Sequence, residues 1–505
     1  MRAVSNRQAG VLMSYAYSII QIVVQLIYVP LLLAGIGKAE YGVYQLVGSI
    51  MAYLTVINTV LAAGITKFYS KAYLEGDREK MENTLAIAKR IHWVISAIAV
   101  AVITIVGFIS VRVYANSFTS PQLHEMGMMF VVLAIDMVVI MNNTINIAVI
   151  TAHERFVFLK GTQLFTALLQ PCLVLICMRI WPSAFMVACC TLGANLLCAI
   201  LQRVFAQSVL KTRYTYHGMD KQLVKEMLRF SSAAVLVALS DQVFWKSGQL
   251  VLGYFRGAED VAVFAIGAQI YSVYIVIGTT VATVFLPKIT DLYLHSKHPE
   301  KEASSLFITV GRISLYVSLF ILLAFAILGP EFIRLWAGEC YQEAYLVALI
   351  VMIPYTVDII QNLGLTILQV VNRYQFRGYL NSGLAILNIA ITIPLVNLIG
   401  IVGASIASAI SVIIGNCIIM NLYYWKRIGL DIPAFWKNIA RIFLPLIFMG
   451  LIGLFIWNSL NIQGWGALIC FGIGFFILYL LVAQRFCFNE YEREIVRKVL
   501  VRFHH

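Results

Sequence analysis

The chain has 505 residues, 61% of them hydrophobic and only 12% charged, with a formal net charge of +13 and a mean hydropathy of +0.86. Soluble globules carry roughly 25% charged residues, so the composition excludes one and specifies an all-α polytopic membrane protein. The basic residues stand in small groups between apolar runs, which suits membrane orientation and gives no continuous patch for nucleic acid.

Apolar runs of about 20 or more residues recur at roughly 11–34, 41–64, 91–113, 126–150, 158–178, 183–202, 230–255, 260–286, 304–329, 342–368, 379–399, 401–424, 440–459 and 464–484. They predict about fourteen transmembrane helices. The first run is too long for a signal-peptide core and is read as a retained span. Its polar residues Ser18, Gln21, Gln25 and Tyr28 fall at i, i+3, i+7 and i+10, on one helical face. Asn58 lies in the second span and Lys67 at its end. Asp136, Asn142 and Asn143 lie in the fourth. Pro171, Pro354 and Pro394, all inside spans, are expected to mark kinks. The segments from Lys67 to Arg90 and from His217 to Arg229 are basic and amphipathic, and are expected along the inner membrane surface.

The seventh run, Phe230 to Gly257, carries Asp241 and Lys246 near its middle. Placing either at the centre of a membrane helix costs about 2.5 to 3.5 kcal/mol on the lowest scale, so such groups face a water-filled cavity or a partner. Gln242, Lys246 and Gln249 stand at i, i+4 and i+7 and form one polar stripe. Bland readings stay open: a Lys246 stem that snorkels to an interface, an Asp241 paired for packing, glutamines bonding neighbouring helices. The tenth run repeats the carboxylate-then-amide pattern of the fourth with Asp358, Gln361 and Asn362. The small residues Gly400, Gly403, Ala404, Ser405, Ala407 and Ser408 suit close helix packing.

Lys and Arg concentrate in alternate loops, beginning with Arg2 and Arg7, so an even helix count with both termini cytoplasmic is expected. An internal repeat shows at an offset of about 219 to 222 residues. Ala39-Glu40 and Gly48 recur as Ala258-Glu259 and Gly267, Arg90-Ile91 as Arg312-Ile313, and Glu154 to Phe158 as Asn372 to Phe376. Six helices separate equivalent positions, so the copies are parallel. The expected organisation is an N-lobe at 1–217, a C-lobe at 218–430, and two further helices with a cytoplasmic tail at 431–505. An offset of 221 superposes Gln21, Gln25 and Tyr28 on Gln242, Lys246 and Gln249.

The nine cysteines lie mostly inside apolar runs with no C-x-x-C, and the eight histidines are scattered. Neither a disulfide framework nor a metal site is expected. The longest outer segments are about a dozen residues, which leaves little room for an enzyme's catalytic loop.

Gly35 to Gly48 (GIGKAEYGVYQLVG), Gly64-Ile65-Thr66-Lys67, Asp241 to Gly267, Phe285-Leu286-Pro287-Lys288 and Gly400 to Ser408 after Asn388 together resemble bacterial polysaccharide and oligosaccharide flippases. These belong to the multidrug/oligosaccharidyl-lipid/polysaccharide superfamily. The resemblance implies two six-helix bundles around a central cavity with alternating access. It implies that an undecaprenyl-pyrophosphate-linked oligosaccharide moves from the cytoplasmic to the outer leaflet of the inner membrane, with cavity cations holding the pyrophosphate. Lys246 best matches that cation. Gln242, Gln249, Gln21, Gln25, Tyr28, Lys67 and Asn58 are the other expected substrate contacts. Asp241, Asp136 and Asp358 are candidates for Na+ or H+ coupling, and no cofactor is expected. Expected partners are the lipid-linked substrate, membrane lipids and glycan-assembly proteins such as a polymerase, with the chain itself a monomer. The first helix has no arginine, unlike the lipid II flippase branch, and no acidic residue, unlike the multidrug branch. A cation-coupled multidrug or small-molecule antiporter is the alternative.

Overall fold

The computed structural model describes residues 2–283, 285–460, 462–490 and 492–494, and among them the regular structure is entirely helical. Eleven helices are long and apolar enough to cross a membrane. The first of these, α1 (Arg2–Glu75), is two helices, 2–36 and 38–75, joined across Gly37. A further span is the bent pair α10 (Ala344–Ile360) and α11 (Asn362–Val370), and α6 (Lys221–Arg256) is a 36-residue helix over the seventh apolar run. With eleven or more long apolar helices among the described residues, the protein is a multi-pass membrane protein.

Between α1 and α6 lie α2 (Arg78–Val113), α3 (Ser120–Ala152), α4 (Phe156–Cys177) and α5 (Ala184–Val209). After α6 come α7 (Ala258–Thr283), the short α8 (Leu286–His295) and α9 (Pro299–Trp336). Beyond the bent pair are α12 (Gln375–Ile399), α13 (Ile401–Ile428), α14 (Ile432–Leu460) and α15 (Trp465–Cys487).

The repeat is written in the backbone. Gly37 (φ 82°, ψ 170°) and Gly257 (φ 87°, ψ −172°) break the chain in the same conformation, one that an L side chain rarely adopts. Glu154 (φ 54°) and Asn372 (φ 55°) occupy the left-handed region at aligned positions. The ring stack of Phe158 on Phe205 recurs as Phe376 on Tyr423, both with centroids 3.8 Å apart. A π-helical stretch lies at Phe205–Val209 in the first copy, and two lie at Ile413–Ile419 and Tyr424–Ile428 in the second.

Contacts group the residues into two compact units, 1–262 and 263–505. The seventh span therefore packs with the first unit, although the repeat assigns it to the second copy.

Two expectations change. The segment from Lys67 to Arg90 is not a surface loop: α1 runs on to Glu75, turns at Gly76 (φ 72°), and Asp77 caps α2 by accepting a bond from the Lys80 backbone N–H at 3.0 Å. The segment from His217 to Arg229 is likewise mostly the first turns of α6, which start at Asp220 as it caps Gln222 and Leu223. Helical bonding continues through Pro171, Pro354 and Pro394. The 43° bend in the tenth span falls instead at Gln361, where two successive amide side chains bond neighbouring helices. Gln361 donates to Asn421 at 2.9 Å and Asn362 donates to the Thr279 carbonyl at 3.2 Å.

In the second unit α12 and α13 approach closely through the expected small residues. A Cβ added at Gly403 would lie 2.2 Å from the Leu395 carbonyl oxygen, and buried Asn388 donates to Ser408 at 3.3 Å. Van der Waals contact and such bonds hold membrane helices, because lipid tails are as apolar as the helices themselves.

Candidate functional site

The polar stripe of α6 is positioned by the half of the helix beyond it. From residue 249 onward α6 is stitched to the second segment of α1 and to the α2–α3 connection. Ser49 Oγ donates to Gln249 Oε1, and Tyr114 Oη donates to the Leu250 carbonyl at 3.2 Å. Ser117 Oγ donates to the Tyr254 carbonyl. Gly253 admits Leu46 and Tyr114, Gly42 admits the Ala258 carbonyl, and Lys38 pairs with Glu259 at 3.4 Å. Sequence reasoning missed this seam. Its only signal was the run of glycines, which hydropathy does not weigh.

One turn before Gln249, Lys246 is half-buried, and no carboxylate among the described residues lies within ion-pairing distance of it. Gln242 and Asp241 are also half-buried on the same stretch. Asp241 has an interaction of its own. On the first segment of α1, Gln21 is half-buried and Gln25 exposed. Tyr28 buries its hydroxyl without a hydrogen-bond partner, an arrangement that costs about 1 to 3 kcal/mol unless something else supplies the bond.

Other expected residues are engaged in packing bonds. Asn58 accepts from Thr144 at 2.9 Å. Lys67 is exposed, with its ammonium 5.7 Å from the Phe68 ring centroid. Asp136 is buried and accepts two bonds from Asn195, at 3.0 and 3.1 Å. Asp358, in the second unit, lies 3.5 Å from Arg377, which in turn donates to Asn416.

These bonds follow the repeat. Asp136 with Asn195 corresponds to Asp358 with Asn416, and the second copy inserts Arg377 between carboxylate and amide. Asn143 donating to Gln202 at 2.8 Å corresponds to Gln361 donating to Asn421 at 2.9 Å. Both copies therefore make a polar bond at the same place. Lys246 has no such counterpart, since its mate is Gln25.

Sequence reasoning also missed Glu492. Its carboxylate receives Arg312 Nε at 2.6 Å and Nη2 at 2.7 Å, with both side chains almost fully buried. Nothing local to residue 312 could have named a partner so distant in the chain.

A family model described as "Polysaccharide biosynthesis protein" matches residues 8–293. No curated protein sequence matches the chain. Among solved structures, the chain is similar to "Lipid II flippase MurJ, inward closed conformation", with a TM-score of 0.74 at 13% identity over 94% of this chain and 99% of that one. It is also similar to an inward-facing "multidrug resistance MATE family transporter of the MOP superfamily", with a TM-score of 0.68 at 12% identity over 83% and 96%. A MOP superfamily transporter from Pyrococcus furiosus gives 0.55 at 13% identity over 86% and 96%. At such identities these structures share the fold.

Proposed function

Because the chain belongs to the polysaccharide biosynthesis protein family, we propose that it is a non-hydrolytic flippase. It carries an undecaprenyl-pyrophosphate-linked oligosaccharide from the cytoplasmic to the outer leaflet of the bacterial inner membrane by alternating access, with both termini cytoplasmic. The observation that carries this reading is Lys246, a mid-span ammonium with no carboxylate in ion-pairing reach among the described residues, on a helix whose neighbouring half is stitched in place.

A pyrophosphate leaving water needs fixed positive charge, and an ammonium in a low-dielectric surrounding supplies it as a point charge. The seam at Gln249 to Glu259 holds the backbone, so the charge is presented at a constant depth. Gln242, Gln21 and Gln25 hydrogen-bond sugar or phosphate oxygens, Gln249 contributes through its amide nitrogen, and the Tyr28 hydroxyl donates to an oxygen of the cargo. Asn58 and Lys67 extend the contacts toward the end of α1, where Lys67 aids capture. Asp241, Asp136 and Asp358 are the groups for Na+ or H+ coupling, and collapse of both gradients without effect on transport removes that role. The chain acts as a monomer beside a polymerase and other glycan-assembly proteins.

The test is quantification of surface glycan in cells carrying Lys246→Ala at unchanged protein level. Loss of glycan, with partial recovery in Lys246→Arg, is expected. Export at the wild-type level overturns the assignment. Drug resistance on overexpression with unaltered surface glycan would instead establish the antiporter.

A further inference from the structure

A crevice of about 370 Å³ opens between α2, α3 and α5, at the ends of these helices that carry the basic residues. Its rim holds Lys89 from α2 and Arg203 from α5, both exposed, and no carboxylate lines it. Its wall is apolar and outward-facing: Trp93 is 56% exposed, Leu196 45% and Ile200 48%. Trp93 lies one helical turn from Lys89, and Ile200 and Leu196 lie one and two turns from Arg203, each toward the middle of its span. Charge therefore sits at one end of the crevice and hydrocarbon surface runs away from it along the span.

The floor is already satisfied. Asn143 donates to Gln202, Asn146 donates to Asn143 at 3.1 Å, and Tyr214 Oη donates to Asn146 at 3.0 Å. These bonds engage Asn143, Asn146 and Tyr214 with one another beneath the opening. Two cations with no acid beside them, above an apolar wall, call for an anion with acyl chains attached. The Lys89 ammonium stands 5.4 Å from the Tyr214 ring centroid, which holds the charge at the rim without neutralising it.

We propose that this crevice binds one anionic phospholipid from the leaflet at the basic ends of the spans, with its phosphate between Lys89 and Arg203 and its chains along Trp93, Ile200 and Leu196. The indole, one turn below the phosphate, lies where the headgroup region meets the chains and fits the interfacial preference of tryptophan. The site is separate from the Lys246 stripe and does not depend on the cargo assigned to it.

The test uses the full chain in detergent and native mass spectrometry with phosphatidylglycerol and phosphatidylcholine added in turn. Retention of one phosphatidylglycerol and of no phosphatidylcholine is expected. Lys89→Gln with Arg203→Gln should weaken retention about thirtyfold, the scale of losing two basic contacts to an anionic lipid. The control pair Lys426→Gln with Arg427→Gln, also exposed, should leave it unchanged, and thermal unfolding of both variants should match the parent. Equal retention of the two lipids, or equal losses in the two variants, overturns the site. Soluble glycerol phosphate that displaces the lipid at equal concentration would show that the chains are not bound, and would also overturn it. So would undecaprenyl phosphate displacing it at far lower concentration, since the occupant would then be the glycan carrier.

Discussion

The two copies of the repeat build the same joints and charge them differently. Arg90, in the first copy, lies exposed with its guanidinium 3.5 Å from the Tyr216 ring centroid. Its mate Arg312 is 4% exposed and holds Glu492 in a two-pronged pair, with the Cys487 carbonyl 2.9 Å from Nη2 and the Tyr316 hydroxyl donating to the same carboxylate at 3.2 Å. Likewise Asp136 is met by a neutral amide, whereas Asp358 is met by Arg377. Duplication supplies the helix, the position and the depth of a polar group. Whether the group then bears load depends on what the rest of its copy brings to it, and in the second copy that includes a C-terminal segment with no equivalent in the first.

The sharpest way to break this comparison is to remove Arg312. Arg312→Ala leaves Glu492 buried and unpaired and should cost about 3 to 5 kcal/mol, seen as a large drop in the thermal unfolding midpoint in detergent. Arg90→Ala, by contrast, should cost only about 0.5 to 1 kcal/mol. Equal effects would mean that burial of the pair does not matter. Next in size, Arg377→Ala strips Asp358 of its cation and should cost about 3 kcal/mol. Asp136→Asn exchanges a charge-assisted bond to Asn195 for a neutral one and should cost about 1 kcal/mol. Both are read in the same unfolding assay, and a reversed order would place the greater dependence on the first copy.

The smallest effect belongs to His153, in the turn between α3 and α4 whose mate is Val371. Burial, reinforced by Arg155, lowers its pKa, and its Nε2 lies 3.2 Å from the Tyr69 hydroxyl. The folded state thus favours the neutral ring. The stabilisation is present above the unfolded value of about 6.5 and is lost as pH falls through the lower folded value. The unfolding midpoint should decline in that window, and His153→Gln should flatten the decline.

Much of this could be read without coordinates. The ladder of spans follows from hydropathy, because a helix that crosses lipid must be apolar along about 20 residues and satisfies its backbone internally. The repeat was legible because turn-flanking residues such as Ala39-Glu40 with Ala258-Glu259 and Glu154 with Asn372 leave a local trace. Lys246 stood out because charge at mid-span has few explanations. The extent of the helices at Lys67 to Arg90 was not legible, since charged residues outside the bilayer continue a helix as readily as they form a surface segment. The partners of Asp136, Asp358 and Arg312 were not legible either.

The amino-acid sequence carries which stretches are apolar enough to cross a membrane, which residues recur at a fixed offset, and where polar groups fall within the apolar runs. These are properties of short stretches, summed residue by residue. Only the tertiary structure decided which polar groups are consumed by neighbours and which stay available. That depends on the rotation of each helix about its axis, where each successive residue turns the face by about 100°, and on partners such as Arg312 and Glu492 that lie far apart in the chain. Among the described residues, pairing left Lys246 as a mid-span cation with no carboxylate in ion-pairing reach, and it left Lys89 and Arg203 together at the mouth of a crevice.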